Sequence, residues 1–244
     1  MPFIRALGTW VNVILGDAID PDEFARAWSR CLTGPSDGPP ARSSVFNVGP
    51  RPTMTSLTQA ITSTLIHRRA GQLLMLHAGA VCNPRTGASI AYAAPGGTGK
   101  TTLTRLLGQR YGYLTDETVG VEPGSWRILS YEKPLSLRNP EGGYPKREVG
   151  PDELGLVGAH PDPRLAALAV LRRRPHMSEA SITRLDAFDA ITALVPETSS
   201  LYRLERPLHL LADLEAELGG IWLLEYSEVE QLTHWASQHL GRVP

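Results

Sequence analysis

Cysteine is nearly absent. Cys31 and Cys82 are the two in 244 residues, far apart, with no CxxC spacing and no histidine-rich partner segment. That argues against a disulfide framework and a zinc site, and leaves two small apolar side chains expected to be buried. An excess of one charge is missing as well: 24 Lys and Arg stand against 25 Asp and Glu, a formal net charge of −1. No global field therefore draws in nucleic acid or an anionic membrane, and any anion site has to be built locally. Long apolar runs are also lacking. The opening MPFIRALGTWVNVILGDAID is broken by charge and glycine well short of the ~20 residues a membrane span needs, and it carries no signal-peptide cleavage pattern. The expectation is a cytoplasmic protein with neither nucleic acid nor membrane as partner. No internal repeat is visible.

What is present reads as alternating strands and helices. GTWVNVILG, rich in β-branched and aromatic residues, predicts a first strand. Asp20 is placed as an N-cap, with Pro21 at the first helical position and Glu23 completing a capping-box-like start. Phe24, Trp28 and Leu32 repeat every four residues beside Ala27 and Cys31, which predicts one buried helix face. Residues 34–52 are dense in Pro, Gly and Ser around a short apolar island at Val45 to Val48, the signature of a linker. Residues 1–52 are thus expected as a small α+β extension with its linker, and 53–244 as the catalytic domain.

A helix over 55–70 places Leu57, Ile61 and Leu65 on one face. LLMLHAGAVCNPRTGASIAYAA then reads as two apolar strands divided by a turn at Asn83 to Gly87. A helix starting near Lys100 buries Leu103, Leu106 and Leu107, and GYLTDETVGV is the next strand and its exit. WRILSY, RLAALAVLRRR and IWLLEY predict further strands; Asp186 to Val195, Pro207 to Leu218 and Glu228 to Leu240 predict helices, the last two followed by glycine. The alternation indicates an α/β fold around a mixed, partly parallel sheet.

The chemistry concentrates in AAPGGTGKTTL, residues 93–103. A loop of pattern GxxxxGK[ST] between a strand and a helix, a P-loop, wraps phosphate oxygens with unhindered backbone N–H groups at the helix N-terminus. Gly96, Gly97, Thr98 and Gly99 supply the open backbone, Lys100 the cation for the terminal phosphates, and Thr101, followed by Thr102, the hydroxyl for Mg²⁺. Ala94 stands where the first glycine is expected, which an alanine with negative φ tolerates.

One helix and one strand later comes LTDET. A right-handed crossover returns the chain to the sheet edge that carries the loop, so Asp116 and Glu117 would face a bound nucleotide. One could hold Mg²⁺ while the other takes a proton from an attacking hydroxyl, and the sequence leaves open which does which. A solvated acidic turn is the plain alternative. Transport and motor ATPases carry their metal-binding acid farther downstream, and neither an LSGGQ-like segment nor a later apolar run ending in Asp-Glu occurs here.

LHAGAV followed by ASIAYAAPGGTGKTTL and GYLTDETVGV resembles the catalytic domain of the HPr kinase/phosphorylase family, whose nucleotide loop is related to that of phosphoenolpyruvate carboxykinases. The resemblance covers residues 73–138 and implies a P-loop, HPr-kinase-like fold that uses ATP and Mg²⁺. The family places a histidine on the strand before the loop and an acidic pair after it, and His77, Asp116 and Glu117 occupy those positions. The second aspartate of the family is Glu117 here, the loop serine is Thr101, and the downstream signature that accompanies HPr recognition is missing. YEKPLSLRNPEGGYPKREVG stands in its place and is more like the segment in kinases of ribosomal-peptide pathways, including lasso-peptide kinases. The implied acceptor is therefore a serine of a peptide or small protein, and the resemblance also implies a homo-oligomer.

A loose phosphoryl-transfer transition state needs cations around it, which makes Lys133 and Arg138 candidates beside solvated surface charges. Lys146 and Arg147 lie in a Gly/Pro-rich stretch with the composition of a closing loop. Arg172 to Arg174 could meet an acidic peptide, or simply end a strand in solvent. The rival readings are a regulatory ATPase that signals as a switch, a kinase of a small-molecule alcohol such as free serine, and a reverse, phosphorylase-like reaction.

Overall fold

A computed structural model describes residues 2–34, 38–39, 45–139 and 146–241. By contacts the chain divides into two units, residues 1–69 with 131–155, and residues 70–130 with 156–244. This division falls after Arg69 rather than after Pro52, and it gives the N-terminal unit a second, later segment.

The first unit opens with a hairpin the sequence reading did not anticipate. Strands β1 (Phe3–Ala6) and β2 (Thr9–Val13) pair antiparallel with Ala6 opposite Thr9, so the expected strand over GTWVNVILG is trimmed to five residues. Leu7 and Gly8, at φ 48° and 66°, form a two-residue turn of the hairpin-favouring hand. Helix α1 (Pro21–Ala27) starts as predicted, with Asp20 accepting from the Asp22 and Glu23 amides at 2.7 and 3.0 Å. Phe24, Ala27, Trp28 and Cys31 are buried. The helix nevertheless ends at Ala27 and does not reach Leu32. Residues 31–33 pair with β1 instead, Arg5 N–H donating to Cys31 and Thr33 N–H to Phe3, and that pairing competes successfully with another helical turn. Within the predicted linker, β3 (Phe46–Val48) lies parallel to β2; positions 35–37 and 40–44 are outside the described residues. Helix α2 (Met54–Arg69) buries Leu57, Ile61 and Leu65 in line.

In the second unit, β4 (Leu74–Cys82) and β5 (Ala88–Ala93) pair antiparallel across the Asn83 turn, where the Asn83 side chain accepts from the Arg85 and Thr86 amides. Helix α3 (Lys100–Leu107), then β6 (Gly112–Thr115), β7 (Thr118–Val121) and β8 (Ile128–Leu129) follow. The chain returns to the first unit for the antiparallel pair β9 (Leu135–Leu137) and β10 (Arg147–Val149). It then completes the second with β11 (Arg164–Arg173), β12 (Ser181–Arg184), α4 (Ala187–Leu194), β13 (Thr198–Ser199), α5 (Pro207–Glu217), β14 (Trp222–Tyr226) and α6 (Thr233–Leu240). A 3₁₀ turn over Val229–Leu232 precedes α6, so the predicted helix from Glu228 starts late.

The sheet of this unit runs β12-β14-β11-β5-β4-β7-β8, with β6 and β13 also paired to β4. It is parallel at β5-β11 and β11-β14 and antiparallel elsewhere, a mixed α/β architecture with six α-helices among the described residues. Strand alternation covers both faces. Ala91 and Ala93 pack with Leu194 of α4 and Leu211 and Leu214 of α5, while Ile90, Tyr92 and Ala94 pack with Leu103 and Leu107 of α3 and with Trp235 of α6. Cys31 and Cys82 are buried free thiols. Among the described residues no helix is long and apolar enough to cross a membrane.

Candidate functional site

The glycine-rich loop joins the end of β5 to the start of α3. Pro95, Gly96 and Gly97 are exposed at its rim, and a methyl group added at Gly96 would meet nothing within 4 Å. Gly97 and Gly99 sit at φ 82° and 108°, a region that L side chains avoid; at Gly99 a Cβ would also crowd the Tyr226 hydroxyl at 3.3 Å. Ala94 is not among the positive-φ residues, which is why alanine serves in the place of the first glycine. The first-turn N–H groups of α3, which have no partner inside a helix, open onto this rim.

Two side chains brace the loop. Tyr226, at the end of β14, donates its hydroxyl to the Thr98 carbonyl at 2.6 Å, and burial pushes its phenol up to about 12, so it stays a donor. Thr98 Oγ1 donates to Pro95 O at 2.8 Å. Lys100 is folded back over the loop, its ammonium donating to the Ala94 carbonyl and to Pro95 O at 3.1 Å. Burial pulls the Lys100 pKa below the ordinary lysine value, opposed by the negative charges of Glu197, Asp116 and Glu117 in that order. Thr102, in contrast, is exposed on the outer side of α3.

The acidic pair sits in a break between two strands. GYLTDETVGV is not one strand with an exit, as expected, but β6 and β7, both antiparallel to β4, with Thr115 opposite Ala80 and Thr118 opposite His77. Asp116 and Glu117 form the kink, pinned by Ala78 N–H donating to Glu117 O at 3.1 Å and by the Glu117 and Thr118 amides donating to Thr115 Oγ1. The crossover from β5 through α3 does not return to β5's own flank, because β4 lies between β5 and β6. It still brings the acids to the loop: Thr101 Oγ1 donates to Asp116 Oδ2 at 2.8 Å, and the Tyr113 hydroxyl to Asp116 Oδ1 at 3.3 Å. Asp116 is buried and Glu117 is half-buried.

His77 lies on β4, on the α3 side by strand alternation with Val81. Its Nδ1 is 3.2 Å from Oε2 of Glu197, a buried carboxylate delivered by a 3₁₀ turn, Val195–Glu197, and by β13, which pairs with Met75 and Leu76. The structure therefore brings together the loop, Lys100, Thr101 and Asp116, and adds Glu197 to His77. Sequence reasoning missed Glu197, Tyr113 and Tyr226. Glu197 and Tyr226 arrive by strand pairings distant in sequence, and a two-residue strand such as β13 carries no periodicity to read.

Lys133 and Arg138 belong to the first unit. Lys133 is buried, and its ammonium donates to Pro134 O at 2.9 Å, so it is not a solvated surface cation; Arg138 is exposed after β9. Lys146 and Arg147 line a cavity of about 330 Å³ in the same unit, together with Arg26, Glu23, Glu148 and Glu153. The Gly/Pro-rich part of the stretch with the composition of a closing loop, 140–145, lies outside the described residues. At the end of β11, Arg172 and Arg174 pair with Glu225 and Arg173 with Glu228, which leaves this arginine run engaged by its own neighbours.

Among the described residues no group of three or more His, Cys, Asp or Glu side chains is arranged to hold a metal ion. A magnesium ion fits such a site none the less, because Mg²⁺ usually takes one or two carboxylates and fills its other positions with phosphate oxygens and water. Thr101 and Asp116, already joined by a hydrogen bond, are the donors present.

No family model matches the sequence, and no curated protein does. Among solved structures, the HPr(Ser) kinase/phosphatase from Coxiella burnetii is similar at 10% identity and a TM-score of 0.33, over 67% of this chain and 97% of that one.

Proposed function

We propose that the second unit is an ATP-dependent phosphotransferase site of the HPr-kinase-like type, moving the γ-phosphate to a hydroxyl acceptor. The observation that carries the reading is the 2.8 Å hydrogen bond from Thr101 to Asp116. It joins the hydroxyl that follows the loop lysine to a buried carboxylate, the pair expected to share Mg²⁺ beside bound phosphates. Magnesium bound there would offset the negative charge of the phosphate oxygens.

The loop amides from Gly96 to Thr101 receive the phosphates, and Lys100 leaves its two carbonyl partners to meet them. Asp116, bonded by Thr101 and Tyr113, supports the metal side. Glu117, half-buried in the same kink, then serves as base: it takes the proton of the acceptor hydroxyl as that oxygen bonds to the γ-phosphorus, the bond from phosphorus to the bridging oxygen breaks, and ADP leaves with the electron pair. This reading uses residues of the second unit alone and assigns no step to Lys133 or Arg138. The acceptor, a serine of a peptide or small protein, rests on the likeness of residues 131–150 to kinases of ribosomal peptides.

The test is purified protein with Mg²⁺ and γ-labelled ATP, a panel of serine-containing precursor peptides and free serine, followed by mass spectrometry. The expected result is one phosphate added to an acceptor, lost in Lys100→Ala and in Asp116→Asn. Sustained hydrolysis with no labelled acceptor across the panel would instead favour a switch ATPase.

A further inference from the structure

Glu197 bears on two parts of the site. The residue is only 8% exposed, its Oε2 is 3.2 Å from His77 Nδ1, and of the three carboxylates that oppose loss of the Lys100 charge it has the largest effect. A buried carboxylate is costly unless it is paired. An ionised carboxylate can only accept hydrogen bonds. Facing it, a neutral imidazole must carry its proton on Nδ1, and Nε2 then holds the lone pair. The His77 side chain is still 41% exposed, so its ring is not sealed in the core. Across the ladder it stands opposite Thr118, the residue after Glu117.

We propose that Glu197 is a positioning residue for the acceptor: it fixes His77 as the Nδ1–H tautomer, so that Nε2 accepts a hydrogen bond from an N–H group of the acceptor and leaves the acceptor's hydroxyl proton to Glu117. The identity of the group at Nε2 rests on the phosphotransfer reading; the tautomer does not. Glu197 itself forms and breaks no bond. It acts by orienting the ring and by preventing Nε2 from carrying the proton that would repel a donor.

Two readouts test this separately. The first is long-range ¹⁵N–¹H correlation spectroscopy of the full chain with labelled histidine, at a pH where the ring is neutral, with the His77 signals assigned by their loss in His77→Gln. The wild type is expected to show Nδ1–H at His77, and Glu197→Ala to move it toward Nε2–H. Glu197→Gln keeps the shape, and its amide can donate or accept, so it is expected to give a mixture. The second is transfer kinetics. Glu197→Ala should lower kcat by about 100-fold, the foot of the range for a positioned acid–base group, and adding His77→Gln should cost little more. Nε2–H at His77 in the wild type, or a tautomer unchanged in both Glu197 variants, overturns the proposal. A correct tautomer in a chain that transfers phosphate to no acceptor would defeat the functional reading and the acceptor contact with it, while leaving the Glu197–His77 assignment standing.

Discussion

Asp116 receives hydroxyl hydrogen bonds on both oxygens, from Thr101 and Tyr113, and this makes its charge separable from its shape. Asp116→Asn keeps the size and one accepting oxygen but removes the negative charge a metal needs. Transfer is expected to fall by about 10³-fold, in line with the loss of a central charge at a phosphoryl site, while metal-free ATP binding stays within a factor of a few; equal losses in binding and in transfer would contradict the assignment. Tyr226 offers a different test, since its hydroxyl holds the loop through the Thr98 carbonyl. Tyr226→Phe deletes one hydrogen bond worth ~1 kcal/mol and should raise KM for ATP more than it lowers kcat, measured by steady-state kinetics with chemical denaturation alongside. At this scale the sequence was informative where the spacing is local: a spacing rule put Asp116 beside Thr101 and Lys100, and the two side chains Thr101 and Asp116 do meet. Glu197 and Tyr226 were not legible, because what places them is strand pairing between distant segments.

At the scale of elements, the packing of α3 against β4 and β5 passes over Gly79. A Cβ there would strike the Tyr92 ring and come within 2.5 Å of Thr104 Oγ1, two groups bonded to each other at 2.6 Å. Gly79→Ala is therefore expected to destabilise the second unit by roughly 1–3 kcal/mol, the usual cost of overpacking, read as a shift in denaturation midpoint at unchanged slope. In the first unit, Asp152 ties the residues after α1 to the 150–155 segment, accepting from Ser29 Oγ at 2.5 Å and Arg30 Nε at 2.7 Å. The Ser29 hydrogen bond first, and Arg30 with it, hold its pKa below the ordinary carboxylate value. A carboxylate whose folded pKa is depressed adds stability above its unfolded pKa of about 3.9 and loses it as pH falls through the folded value. Asp152→Asn should thus cost ~0.5–1 kcal/mol at neutral pH, a partly exposed pair being worth no more, and the gap to wild type should close below pH 4. A gap independent of pH would show that the charge plays no part. Element types were mostly readable from periodicity, but the ends were not. The helix at Phe24 stops early because residues 31–33 find β1, and the strand at Tyr113 breaks at Asp116–Glu117 where backbone and Thr115 hydrogen bonds hold a kink.

For the whole molecule, composition and alternation were enough to predict a mixed α/β fold, and the structure has one. The division into units was not readable, since residues 131–155 join the N-terminal segment and local patterns carry no sign of such a return. The glycine-rich loop, its lysine and the acidic kink all belong to the second unit, and the proposed function requires them to act as one magnesium–nucleotide centre. Mg·ATP at about a hundredfold Kd should then stabilise that unit by ~2.7 kcal/mol, visible as a raised thermal transition in the wild type and absent in Lys100→Ala. The most direct test is calorimetric titration of ATP into the protein with and without Mg²⁺, for the wild type and Asp116→Asn. Mg²⁺ is expected to tighten ATP binding about tenfold or more in the wild type, ~1.4 kcal/mol, and the gain to disappear in Asp116→Asn. ATP affinity unaffected by Mg²⁺, or a magnesium effect that survives Asp116→Asn intact, would contradict the proposed function.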